Sequence, residues 1–153
     1  MNLISSSIQT VNLSNNPHFK DISFKLLFTF FNYSTSLQSL KSENLFVKTF
    51  SLEKTNISDE SGLLLCEILH RVPIKSLNLS SNSFTHKFFN RIAEIFENEN
   101  VEISDLALAN NKITDRSGIK LIEEILQFSK VKYLDLSCNY LKFKTGSSFF
   151  SLS

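Results

Sequence analysis

An eleven-residue pattern recurs along this chain and restricts its fold more than any other feature. Residues 74–84 (IKSLNLSSNSF) and 131–141 (VKYLDLSCNYL) are apolar at places 1, 4, 6 and 11 and carry Asn at place 9. Ile103, Leu106, Leu108, Asn111 and Ile113 fit the same frame, as do Ile8, Val11, Leu13 and Asn16. So do Val47, Phe50, Leu52 and Ile57, with Thr55 at the Asn place. The start points 8, 47, 74, 103 and 131 are separated by 39, 27, 29 and 28 residues. Periods of this size belong to units that bury their apolar faces against neighbours of the same kind.

A second register follows each pattern. Seven residues beyond place 9 stand Ser23, Gly62, Phe89, Gly118 and Gly146, so all three glycines share one position. Ten and fourteen residues beyond it stand Leu26 and Phe30, Leu65 and Leu69, Ile92 and Phe96, and Leu121 and Ile125. Apolar residues four apart lie on one helix face. Each unit is therefore expected to be a short strand, a turn and a helix of about three turns. Ser58-Asp59-Glu60 and Thr114-Asp115 suit helix starts, because acids in the first turn complement the helix dipole.

With pattern, Asn, Gly and period in place, the chain resembles the leucine-rich repeat family. Its 27 to 29 residue step resembles the ribonuclease-inhibitor-type subclass. The resemblance implies an α/β solenoid of about five repeats in a single domain over residues 1–153, with a curved parallel sheet on the concave side and helices on the convex side. The Asn column is then expected to be buried and to bond backbone groups freed where each strand turns away. Thr55 departs from the rule but keeps a hydroxyl able to do part of that bonding.

Two irregularities stand out. From Phe30 to Val47 is seventeen residues, against five to seven for the matching gaps, which places an insertion near residues 32–42. This Ser-rich stretch reads as a longer loop packing Leu37 and Leu40, or as an excursion that docks a partner. At the ends, Leu134, Leu136, Phe149 and Phe150 on one side, and Ile8, Val11 and Leu13 on the other, have no neighbouring unit to cover them. Self-association through uncapped ends is the expected consequence.

Catalytic chemistry is sought and not found. Three scattered glycines exclude a glycine-rich phosphate cradle. Cys66 and His70 are four apart on one helix, a metal half-site by spacing, but Cys66 falls in the column of Leu27, Ala93 and Ile122 and reads as a buried filler. Cys138 falls in the column of Asn15, Lys54, Ser81 and Asn110 on the open face. An enzyme using that lone thiol is the least supported reading. Glu123-Glu124 and Asp59-Glu60 are adjacent in helices and point different ways, so they suit a solvated face or a helix start. Neither metal nor cofactor is expected.

Partners follow from charge and surface. Sixteen Lys and Arg against fifteen Asp and Glu give +1, and basic residues are not clustered with aromatics, so nucleic acid is not an expected partner. Residues 1–8 lack a basic start followed by an apolar run, and the most apolar stretch, residues 24–31, is too short to span a bilayer, so a cytoplasmic protein without membrane contact is expected. Places 2, 3, 5, 7 and 8 of each strand face outward on the concave side and are small and polar. Tyr133 is the one aromatic there, and binding energy concentrates in Tyr, Trp and Arg, so a protein-binding spot is centred on Tyr133 with Asp135 and Asp105, and with Asn78, Lys48 and Lys75 further along. The face measures about 400 Å², half of what a standard interface contributes per partner. The resemblance implies a non-enzymatic protein–protein interaction module or scaffold. The alternative is a regulatory repeat domain acting on a small GTPase or on actin-associated proteins, by fold analogy.

Overall fold

The computed structural model describes residues 9–39, 46–98, 101–128 and 130–142. Strands β1 (Thr10–Asn12), β2 (Val47–Ser51), β3 (Ile74–Asn78), β4 (Asp105–Ala107) and β5 (Tyr133–Asp135) alternate with helices α1 (Asp21–Ser39), α2 (Asp59–Leu69), α3 (His86–Asn98) and α4 (Asp115–Phe128). The strands form one parallel sheet in chain order. A parallel neighbour requires a crossover, and each helix supplies one.

The apolar places build the core. Val47, Phe50 and Leu52, then Ile74, Leu77 and Leu79, then Ile103, Leu106 and Leu108 are all buried. They pack with Leu65, Ile92, Leu121 and Ile125 from the helices. The paired phenylalanines Phe88 and Phe89 are fully buried, and Phe84 lies 4.4 Å from Phe88 between ring centroids. The glycine column is a close approach of each helix start to the following unit. A Cβ on Gly62 would sit 2.5 Å from the ring of Phe88, and one on Gly118 would sit 2.6 Å from Leu141.

Place 9 joins successive units. Asn82 donates through Nδ2 to Leu52 O, Leu79 O and Ser80 O, and its Oδ1 accepts from the backbone N–H groups of Thr55 and Ile57. Asn111 donates to Leu79 O, Leu108 O and Ala109 O and accepts from Phe84 N. Asn139 does the same with Leu108 O, Leu136 O and Ser137 O, accepting from Asn111 N and Ile113 N. Thr55 donates its hydroxyl to Leu52 O at 2.7 Å, the part of the Asn role that a hydroxyl can fill. Of the three inner asparagines Asn111 is buried, while Asn82 and Asn139 are half-buried.

Two expectations fail in α1. Leu26 and Phe30 are 72% and 50% exposed, while Phe24 and Phe31 are buried. Asp21 lies five residues after Asn16, whereas His86 and Asp115 lie four after Asn82 and Asn111, so one extra residue in the turn rotates the inward face of α1 by one position. Residues 32–39 of the expected loop insertion are helix, because nothing from Asp21 to Ser39 is Gly or Pro. The packing of Leu37 and Leu40 lies outside the described residues, as do Ile8, Gly146, Phe149 and Phe150.

A second inter-unit contact runs along the helix starts. Asp21 accepts from the backbone N–H and hydroxyl of both Ser58 and Ser61. Asp59 accepts from the N–H and hydroxyl of Thr85, and Asp115 from Lys142 N. At the start of α3 His86 replaces the acid, and Thr114 N turns instead to its own Ser117 Oγ at 3.3 Å. Burial disfavours the charged Asp21, but the hydrogen bonds from Ser61 and Ser58 outweigh it and hold its pKa below the ordinary value. A depressed folded pKa supplies stability above the unfolded value, lost as pH falls from about 4 through the folded value. Asp21→Asn is therefore expected to destabilise at pH 7, by about 1–3 kcal/mol in a urea melt, with the gap to wild type closing below about pH 4. A gap that persists undiminished at low pH would contradict it.

Candidate binding face

One side of the sheet is covered by helices, and the other carries Tyr133, Asp105, Asp135 and Asn78 of the expected binding residues. Register places Thr10, Thr49, Ser76, Asp105 and Tyr133 in one row across the five strands. Asn12, Ser51, Asn78, Ala107 and Asp135 form the next row. Side chains two apart on a strand share a face, so Tyr133, its cross-strand neighbour Asp105 and its own-strand neighbour Asp135 come together. Tyr133 is 56% exposed, Asp105 is exposed and Asp135 is half-buried. Asn78, half-buried, lies in the row of Asp135. Lys48 and Lys75 are exposed on β2 and β3, but the same alternation puts them in phase with the buried Phe50 and Leu77, so they do not join the face of Tyr133. Of the six residues the sheet register brings together Tyr133, Asp105 and Asp135, with Asn78 two strands away in the same row as Asp135.

Several of these groups also serve the backbone. Asp135 Oδ1 accepts from Ser137 N at 2.9 Å, and Asn78 Oδ1 accepts from Ser80 N at 3.0 Å. Asn78 Nδ2 donates to Glu53 Oε2 at 3.0 Å, a carboxylate within the face that the strand pattern alone does not single out. Ser104 donates its hydroxyl to Asp105 Oδ2 at 2.6 Å. Ser51 and Ser80, assigned to the open face, are 8% and 7% exposed. Ser51 Oγ contacts Ser14 Oγ of the neighbouring unit at 2.6 Å.

The place beside each turn has an unexpected conformation. Asn15, Lys54, Ser81, Asn110 and Cys138 have φ between 51° and 60°, as does Asn56. Asn tolerates this left-handed region, whereas Lys, Ser and Cys occupy it at a cost. Cys138 is exposed and Cys66 is buried, where burial pushes the thiol pKa up to about 12. Such a thiol stays protonated and unreactive at neutral pH. Among the described residues no cluster of His, Cys, Asp and Glu could hold a metal ion, and no helix is long and apolar enough to cross a membrane.

A cleft of about 370 Å³ lies on another side of the molecule, lined by His86, Asn90, Thr114, Arg116 and Ser117. It coincides with the break in the row of helix-start acids. The signal for it in the sequence is His86 standing in the column of Asp59 and Asp115.

No family model matches the chain, and no curated protein matches it at a significant level.

Proposed function

We propose that this chain is a leucine-rich repeat solenoid of the ribonuclease-inhibitor type and acts as a non-enzymatic protein-binding module. The observation that carries the reading is the uncovered sheet face, with Tyr133 exposed between Asp105 and Asp135. An aromatic flanked by two carboxylates suits a partner segment bearing an apolar group next to Lys or Arg.

The test is a paired substitution and a capture assay from cell extract. Because Asp135 Oδ1 supports the turn, Asp135→Asn removes its charge while keeping an acceptor for Ser137 N. Tyr133→Ala with Asp135→Asn is expected to weaken capture by about 30-fold or more, the loss of a 2 kcal/mol hot spot, and to leave the thermal melt nearly unchanged. Undiminished capture would move the site off this face.

A further inference from the structure

The two ends of the described sheet carry matching halves of the contact that joins inner units. Between inner units, N–H groups at places 6 and 8 donate to the carbonyls at places 5 and 7 of the next, as in Leu52 N to Asn78 O and Lys54 N to Ser80 O. Place-9 and place-11 N–H groups reach the Asn Oδ1 of the next unit, as Asn111 and Ile113 do with Asn139. At the β5 end the corresponding donors are Leu136 N, Cys138 N, Asn139 N and Leu141 N, and none has a partner among the described residues. At the β1 end the corresponding acceptors are Asn12 O, Ser14 O and Asn16 Oδ1. Asn16 bonds through Nδ2 to Leu13 O and Ser14 O of its own turn, and its Oδ1 accepts nothing among the described residues.

The helix layer matches in the same register. Counting each helix from its first residue, Lys25 of α1 pairs with Glu60 of α2, and Asn32 of α1 accepts from Arg71 beyond α2. The same columns at the ends are apolar. Ile119 and Leu126 of α4 stand where Lys25 and Asn32 face forward, and Ile22 and Tyr33 of α1 stand where Glu60 and Arg71 face back. Ile22, Leu26, Phe30 and Tyr33 make an exposed stripe on α1, and Leu126 is 63% exposed on α4. Phe30 falls in the column of Ile68 and Ile95, which are both buried.

We propose that copies of this chain stack head to tail, the β1/α1 end of one on the β5/α4 end of the next, continuing the sheet in register. The occupant is a second copy because both halves of the contact, polar along the sheet and apolar along the helices, are present on one molecule in complementary form. A heterologous contact of this kind leaves a free end on each added copy and extends into a row, or into a ring where the rotation per copy closes.

Sedimentation of the full chain and two variants tests this. Leu26→Glu with Phe30→Glu blocks the α1 end, and Leu126→Glu with Phe128→Glu blocks the α4 end; all four side chains are exposed, so both variants should keep the wild-type circular dichroism. The weight-average mass of wild type is expected to double or more over a roughly hundred-fold rise in concentration. Each variant alone is expected to stay monomeric, and their equimolar mixture to form a heterodimer that grows no further. A monomeric wild type would overturn the proposal. So would self-association of either variant alone, which needs a like-to-like contact, or a mixture that stays monomeric.

Discussion

Leu79→Ala and Leu108→Ala are each expected to lower the unfolding free energy by about 2–5 kcal/mol in urea melts. Both side chains are completely buried at the same place in adjacent units, where the sheet meets the helices. Truncation removes apolar surface from the core and leaves a void that neighbouring units can fill only by shifting the sheet, so the cavity cost adds to the transfer cost. Ser80→Ala is the internal control. Ser80 is nearly buried as well, but its hydroxyl makes no side-chain hydrogen bond among the described residues, so its loss should change stability by about 0.5 kcal/mol or less. Equal effects at Leu79, Leu108 and Ser80 would contradict the assignment of inward and outward places.

Asn111→Leu is expected to cost about 1–3 kcal/mol. The substitution is close to isosteric, so it isolates the polar role. It leaves Phe84 N without its acceptor at a buried turn that bulk water does not readily reach, and removes one of two donors from Leu79 O, Leu108 O and Ala109 O, which keep Asn82 Nδ2, Asn139 Nδ2 and Ser81 N. One stranded N–H at roughly 1–3 kcal/mol, with the inter-unit bonds to the three carbonyls lost as well, outweighs the apolar gain from the added Leu. Asn16→Leu makes the contrast, because Asn16 is exposed and bonds only its own turn. A loss of about 1 kcal/mol or less is expected there. Chemical denaturation of the two variants side by side, with the same loss at both, would show that the role of Asn111 does not lie in bridging units.

The comparison also shows which parts of the fold are legible in the chain. Strand positions and the core in α2, α3 and α4 follow from apolar spacing, because the inward places repeat without interruption from Val47 to Ile125. The error in α1 comes from one extra residue before Asp21. Counting from Asn16 carries the old phase into the helix, and only the pairing of Phe24, Leu27, Phe28 and Phe31 against Leu26 and Phe30 distinguishes the two registers. The row of helix-start acids needs contacts between residues 26 to 40 apart, which no local pattern displays. The left-handed place is hidden differently. Asn15 and Asn110 are the usual occupants, but Lys54, Ser81 and Cys138 mask the column. Of the candidate face, the proximity of Tyr133 to Asp105 is readable from strand register, while the burial of Ser51 and Ser80 depends on the side chains beside them.

The row of acids has a direction. Asp21 on α1 holds the start of α2 and Asp59 on α2 holds the residue before α3, so fraying of α1 releases Ser58 and Ser61, and fraying of α2 in turn releases Thr85. This relay has no third step, because His86 offers no carboxylate and Thr114 is held by Ser117 within its own helix start. Opening that begins at the α1 end therefore loses its electrostatic route at α3. The α4 start has its own Ser117 bond and does not depend on that route, so loosening can pass this point only through the asparagine bonds and the shared core.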